Sequence, residues 1–286
     1  MDYNVKNEEI LSTIKFIVIA FVVLPLLPNE AYGPYGFFNP YLIWMMVVLI
    51  SGISFLSYIA IKFLGEKRGI GATGFLAGLI SSTALSLSFS AESIKNKSVV
   101  NPYVVAIVVA SSAMFFRILV EVAVLNPMLL SMLAVPMVIM GVTGISMATY
   151  FWFKKEKDVD LEIRKNVTMQ RSPFSLIPAL KFGLFFAAIL LLSKFTEATM
   201  GNGGLYLTSF VSGVVDVDAI TVSMANLSRD SVSAGPAVIA ITIAAMTNTI
   251  VKGGIFLLFG NRKVALKIVS AFLIVLAMGG ASLIFI

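Results

Sequence analysis

An all-α, polytopic integral membrane helix bundle with two internal repeats is the fold class this sequence predicts. Three observations lead there. Of 286 residues, 58% are hydrophobic and 13% charged, with a mean hydropathy of +0.96. Soluble domains carry about 25% charged residues, so lipid must solvate much of this surface. Nine apolar stretches reach or approach the length of about 20 residues that a helix needs to cross a bilayer core. Long unbroken apolar runs are not the short alternating strands of an outer-membrane barrel. Finally, one segment of the chain recurs in its second half.

The elements follow in order. The start, Met1 to Glu9, is polar and acidic. It lacks the basic beginning and small-residue cleavage site of a signal peptide, so the first stretch, 10–28, is expected to be retained. Residues 1–40 make a leading helix and loop. Stretches 41–64, 71–91, 102–125 and 128–153 make repeat 1, residues 41–153. The longest polar connection, KKEKDVDLEIRKNVTMQR from Lys154 to Arg171, makes a cytoplasmic linker over 154–173, read as a surface helix or solvated loop. Stretches 174–195, 204–227, 234–258 and 264–286 make repeat 2, residues 174–286, all within one transmembrane domain.

The repeat is read from an ungapped match between Phe75–Ser88 and Phe210–Ser223. Phe75, Gly78, Ala84 and Ser88 recur as Phe210, Gly213, Ala219 and Ser223. Downstream, Pro102 corresponds to Pro236, Arg117 roughly to Lys252, and Asn126 to Asn261. Three matches in one order are hard to attribute to chance, even in so apolar a chain.

Charge leaves two topologies. If all nine stretches cross, Lys154, Lys155, Lys157, Arg164, Lys165 and Arg171 fall outside, against the positive-inside rule. If 71–91 and 204–227 instead dip in and return, seven stretches cross. Lys62 to Arg68, Lys95, Lys97, the linker and Arg262 to Lys267 then share one side, with Arg229 almost alone opposite. The halves become inverted repeats, a common transporter plan. Broken or re-entrant motif segments are therefore expected, with seven to nine crossings.

The chemistry centres on Asp216 and Asp218 in SGVVDVDAITVS. An ionised carboxylate at membrane depth is costly and normally faces a partner or a watery cavity. On a regular helix the two lie about 200° apart. A locally extended backbone, permitted by Gly213 just before them, would aim both the same way. With the hydroxyls of Thr221 and Ser223, they suit a hard cation such as Mg²⁺, Na⁺ or a proton. The blander reading is structural glue between a carboxylate and Lys252. At the matching positions repeat 1 has Ser81, Ser82 and Thr83, neutral groups that line a site or simply let helices pack closely. Asn248, between Thr247 and Thr249, is a further ligand candidate. Lys252, one turn later, is either a counter-ion for Asp218 or a snorkelling lysine. Arg117 and Glu121, four apart, either pair with each other as structure or take part in gating.

Other chemistries are excluded. The chain has no Cys and no His, so thiol catalysis, Cys/His zinc sites and histidine acid–base work are absent. No Walker or Gly-x-Ser-x-Gly motif occurs, so no enzyme and no cofactor is expected. The fourteen Met are dispersed and read as packing. The net charge of +6 sits at the ends of apolar stretches, where headgroups account for it, so no nucleic-acid partner is expected.

The segments LLPNEAYGPYGFFNPYLIWMMVVLISGISF, GLISSTALSLS and GLYLTSFVSGVVDVDAITVSMANLS resemble a membrane domain of unknown function grouped with the MgtC/SapB proteins of bacteria and archaea. The resemblance spans nearly the whole chain. Its most specific parts are the Asp-x-Asp-Ala-Ile-Thr segment and the loop at Pro34. It implies a connection with magnesium limitation or ATPase regulation and that Asp216, Asp218 and Asn248 matter. The amino-terminal domain usual in MgtC has no recognisable counterpart here.

The reading is a transporter or channel of the cell membrane for a small inorganic cation, possibly divalent such as Mg²⁺. Asp216 and Asp218 are its metal ligands. The alternative is a non-transporting membrane regulator docked on a partner protein. A carboxylate pair facing an aqueous pocket favours the first; a dry Asp218–Lys252 contact favours the second. Homo-oligomers stay open.

Overall fold

A computed structural model describes residues 7–33, 36–64, 70–97, 99–154 and 176–286. The expectations for the Pro34 loop, for Lys67 and Arg68, and for the linker beyond Lys154 lie outside those residues. The described chain is helical throughout, apart from short connections and an isolated Tyr32–Phe38 bridge.

Helix α1 (Asn7–Ile17) runs on through a π-helical stretch (Val18–Val23) to Leu24–Leu26. Repeat 1 then contains α2 (Pro40–Leu64), α3 (Ile70–Lys95), α4 (Asn101–Leu125) and α5 (Pro127–Phe153). Repeat 2 contains α6 (Leu176–Met200), α7 (Asn202–Val215), α8 (Asp218–Asp230), α9 (Ala234–Phe259) and α10 (Arg262–Ser282). The pair α7–α8 is the counterpart of α3, which is itself broken at Ser81. Matching sequence signals set matching boundaries. Asn126 caps α5 by accepting from the Leu129 amide, and its counterpart Asn261 caps α10 by accepting from the Lys263 amide. The third helix of each repeat, α4 and α9, is the most buried of the long helices.

Seven helices are long and apolar enough to cross a bilayer, 74–95 among them, with Ile10–Leu26 a shorter apolar helix. Contacts decide which ones pass through. Gly74 and Gly78 lie against Ala106 and Ala110, so the first arm of α3 runs parallel to α4. Beyond Ser81 the direction reverses, and Phe89 packs edge-on against Tyr103 with ring centroids 5.4 Å apart. Both arms of α3 thus lie beside the same part of α4. In repeat 2, Gly204 at the start of α7 abuts the Thr196 carbonyl, and Ser231 just after α8 bonds to Glu197 at 3.3 Å. One turn of α6 therefore meets both ends of the α7–α8 segment. Each motif segment is a re-entrant hairpin that enters and leaves on the same face.

With both motif segments re-entrant, the elements left to cross are α2, α4, α5, α6, α9 and α10, with the shorter apolar helix at α1 beside them. The extended α1 packs antiparallel on α2, with Phe16 stacked on Phe55 and Trp44 Nε1 donating to the Ile19 carbonyl at 3.0 Å. One face gathers the ends that carry Lys95, Lys154, Lys263 and Lys267. There Asn101 joins the Lys154 carbonyl to Lys267, and Ser93 bonds the Asn261 amide. We call it the basic face. Hairpin α3 enters from it, hairpin α7–α8 from the far face, so the repeats are inverted.

Candidate functional site

Both hairpins break at aligned residues. Ser81 is extended (φ −167°, ψ 100°), as is Asp216 (φ −157°, ψ 149°). Each break leaves the first amides of the returning arm without helical partners, and each breaking residue supplies the acceptor. Ser81 Oγ accepts from the Ala84 amide at 3.2 Å, and Asp216 Oδ1 from the Asp218 amide at 2.7 Å. The extended conformation was expected at this segment, but Gly213 is not the break. Gly213 is helical and lets α7 press on α9: an added Cβ would lie 2.5 Å from the Ala244 carbonyl oxygen. Its counterpart Gly78 does the same against Ala110 O at 2.4 Å.

The tips meet at one cavity of about 260 Å³. Repeat 2 contributes Asp216, Asp218 and Asn248, and repeat 1 contributes Ser81, Ser82, Thr83 and Arg117. Ser51 and Ser54 of α2 and Ala179 and Phe182 of α6 carry the wall toward the basic face. Asp218 and Asn248 are buried, and Asp216 is half-buried. Asn248 donates its Nδ2 to the Gly213 carbonyl at 3.0 Å, which leaves the amide oxygen for the cavity.

Arg117 ties the tips together. Its Nη2 bonds to Asp218, its Nε to Glu121 Oε1 at 3.0 Å, and its Nη1 to the Leu79 carbonyl at 3.0 Å. Leu79 ends the first arm of α3, where a cation also meets the negative end of the helix dipole. The expectation of a self-contained Arg117–Glu121 pair is therefore corrected: the guanidinium spans two repeats. Glu121 is fully buried, and its Oε2 has no partner among the described residues.

Lys252 is likewise fully buried, with Nζ 3.1 Å from Met114 Sδ. It does not snorkel, and Arg117 takes the place expected for it as the partner of Asp218. Two other expectations are also corrected. Thr221 is buried away from the cavity, its Oγ1 unpartnered among the described residues, and Ser223 Oγ bonds back to the Ala219 carbonyl at 2.8 Å. The serines of α2, Ser51 and Ser54, were missed; their signal was hydroxyls spaced three apart inside an apolar stretch. Among the described residues no three acidic side chains converge as a metal cage.

Residues 48–260 match the family model described as a domain of unknown function, DUF4010. An uncharacterized protein of Aquifex aeolicus (strain VF5) is 28% identical over 202 residues, covering 69% of this chain and 86% of that protein. No solved structure matches the chain. Neither description mentions MgtC or SapB.

Proposed function

The chain belongs to the DUF4010 family, and we propose that it is a transporter or channel carrying a small inorganic cation across the cell membrane. One observation carries the reading. Two re-entrant hairpins from inverted repeats bring their broken tips to a single polar cavity that holds Asp216 and Asp218. Non-helical backbone at membrane depth is tolerated only where it is buried in protein or lines a cavity. Broken helices of inverted repeats meeting at the midplane are how many carriers build a substrate site. The two carboxylates, the Asn248 oxygen and the hydroxyls of Ser81, Ser82 and Thr83 are hard oxygen donors. The basic face is read as cytoplasmic from its lysines and arginines. No enzymatic role is proposed.

The cavity and the pairing of Asp218 with Arg117 instead of Lys252 both favour transport over a docked regulator. The test is flux into proteoliposomes across a panel of cations, comparing wild type with Asp216→Asn and Asp218→Asn. Transport predicts a saturable flux that both substitutions reduce. A chain that binds and moves no cation in any of these assays would leave only the regulator. Sidedness is checked on Lys97→Cys and Ala198→Cys, which are clean reporters because the chain has no native Cys. An impermeant thiol reagent on intact cells should label 198 and spare 97.

A further inference from the structure

We propose that a second cavity, on the far face, binds an anionic phospholipid of that leaflet, with its phosphate between Lys194 and Arg229. It is a different site and does not depend on the transport reading. The cavity has a volume of about 450 Å³, within the range of small-molecule sites. It lies between the far-face ends of α2, α4, α6 and α8, beside the loop that leads into α2.

Two features of its wall decide the chemistry. The first is charge. Lys194 comes from α6 and Arg229 from α8, and both line the cavity together with Asn29, Asn39 and Asn226. No acidic side chain is among its described lining residues. Glu30 and Glu197, on the same face, meet other partners: Glu30 accepts from the Tyr32 hydroxyl at 3.2 Å, and Glu197 from the Ser231 hydroxyl at 3.3 Å. Bases are disfavoured on the face opposite the positive one, so two that share a cavity there are accounted for best by an anionic ligand. The site is also built in advance. Lys194 Nζ donates to the Gly36 carbonyl at 3.1 Å, and Arg229 Nη2 to the Leu125 carbonyl, which holds both heads at the wall. An ammonium carries three donors and a guanidinium five, so one carbonyl exhausts neither. On the loop side, Asn39 Nδ2 donates to Asn29 Oδ1 at 2.9 Å.

The second feature is an apolar wall below the charges. Leu190 lines the cavity one turn deeper than Lys194, with Leu42 and Val124 across from it. Val124 and, one turn deeper, Val120 are exposed on a helix that is otherwise mostly buried. They make an open apolar track from the cavity along α4 toward the bilayer core. A free phosphate ion would leave that track unused, and an acyl chain fills it. Basic pockets between membrane helices hold lipid headgroups in this way.

The test is the melting temperature of the purified full chain in a neutral detergent. It is titrated separately with dihexanoyl phosphatidylglycerol, dihexanoyl phosphatidylcholine and sodium phosphate. Wild type should melt at a rising, saturating temperature with phosphatidylglycerol. Phosphatidylcholine, which has no net charge, should need about tenfold more, and sodium phosphate should give no saturable shift. Lys194→Gln and Arg229→Gln should each raise the half-saturating phosphatidylglycerol concentration about tenfold. Lys95→Gln on the basic face should leave it unchanged. Arg229→Gln also gives up the Leu125 bond, so Lys194→Gln carries the test if that variant fails to fold. Saturation by sodium phosphate as readily as by lipid makes this a free-anion site and overturns the proposal. So do equal saturation by the two lipids, folded cavity variants that bind as wild type does, and no saturable shift with any of the three.

Discussion

The hairpin of repeat 1 and the hairpin of repeat 2 share a backbone and differ in charge. Each breaks at the aligned residue, caps its returning arm with that residue's side chain, and presses a glycine onto the third helix of its repeat. The first carries Ser81, Ser82 and Thr83, the second Asp216, Val217 and Asp218. A serine and an aspartate are both good acceptors for orphan amides, so the turn needs a cap and not a charge. The carboxylates are extra to the fold. Their burial costs stability, and Arg117, lent from repeat 1, offsets that cost. The shared features account for the architecture, and the unshared ones carry the proposed cation site.

That division can be attacked at its strongest point first. Arg117→Met should destabilise the detergent-solubilised protein by about 3–5 kcal/mol, since Glu121 and Asp218 lose their buried partner. Adding Asp218→Asn to it should recover part of the loss in thermal melts. No recovery would mean that Arg117 acts through the α3 carbonyls alone. Next come the glycines. Gly78→Ala and Gly213→Ala should each cost about 1–3 kcal/mol through overpacking. Similar melting losses are expected for the pair, and a large loss at only one position would break the structural equivalence of the hairpins. The sharpest test is smaller in energy. Asp216→Ala should cost about 1 kcal/mol through the lost cap, and Asp216→Ser should restore most of it. Cation flux should be lost in both, so a serine variant that transports like wild type would deny the carboxylate its role. The smallest effect belongs to Thr221→Val. Its hydroxyl is buried without a partner among the described residues. Removing it should change stability by about 0.5 kcal/mol or less and leave flux as in wild type.

Much of this was legible beforehand, and the reason is periodicity. Apolar runs fixed the helices, and the aligned Phe-x-x-Gly segments together with the placement of Lys and Arg favoured seven passes over nine. Asp216, Asp218, Asn248 and the Ser81–Thr83 run were found because a polar group inside an apolar stretch is conspicuous. What stayed hidden depends on rotation and tilt. Thr221 and Ser223 share the segment of Asp218 yet do not line the cavity. Arg117 and Lys252 roughly correspond by sequence. The i, i+4 spacing gives Arg117 its bond to Glu121, but its contacts with Asp218 and the Leu79 carbonyl, and the seat of Lys252 against a thioether, depend on packing between helices. Ser51 and Ser54 look like ordinary packing serines until α3 and α6 enclose a space beside them.

The reach of Arg117 across the repeat boundary also bears on assembly. One guanidinium grips the end of an arm in the first half and a carboxylate in the second, while Lys154, the last described residue before the linker, lies on the basic face. Covalent continuity through that linker then adds little to recognition between the halves. Two polypeptides, 1–154 and 176–286, produced together in one cell, should find each other and co-purify. The same pair carrying Arg117→Met should separate, and equal recovery of both pairs would show that apolar packing alone joins them.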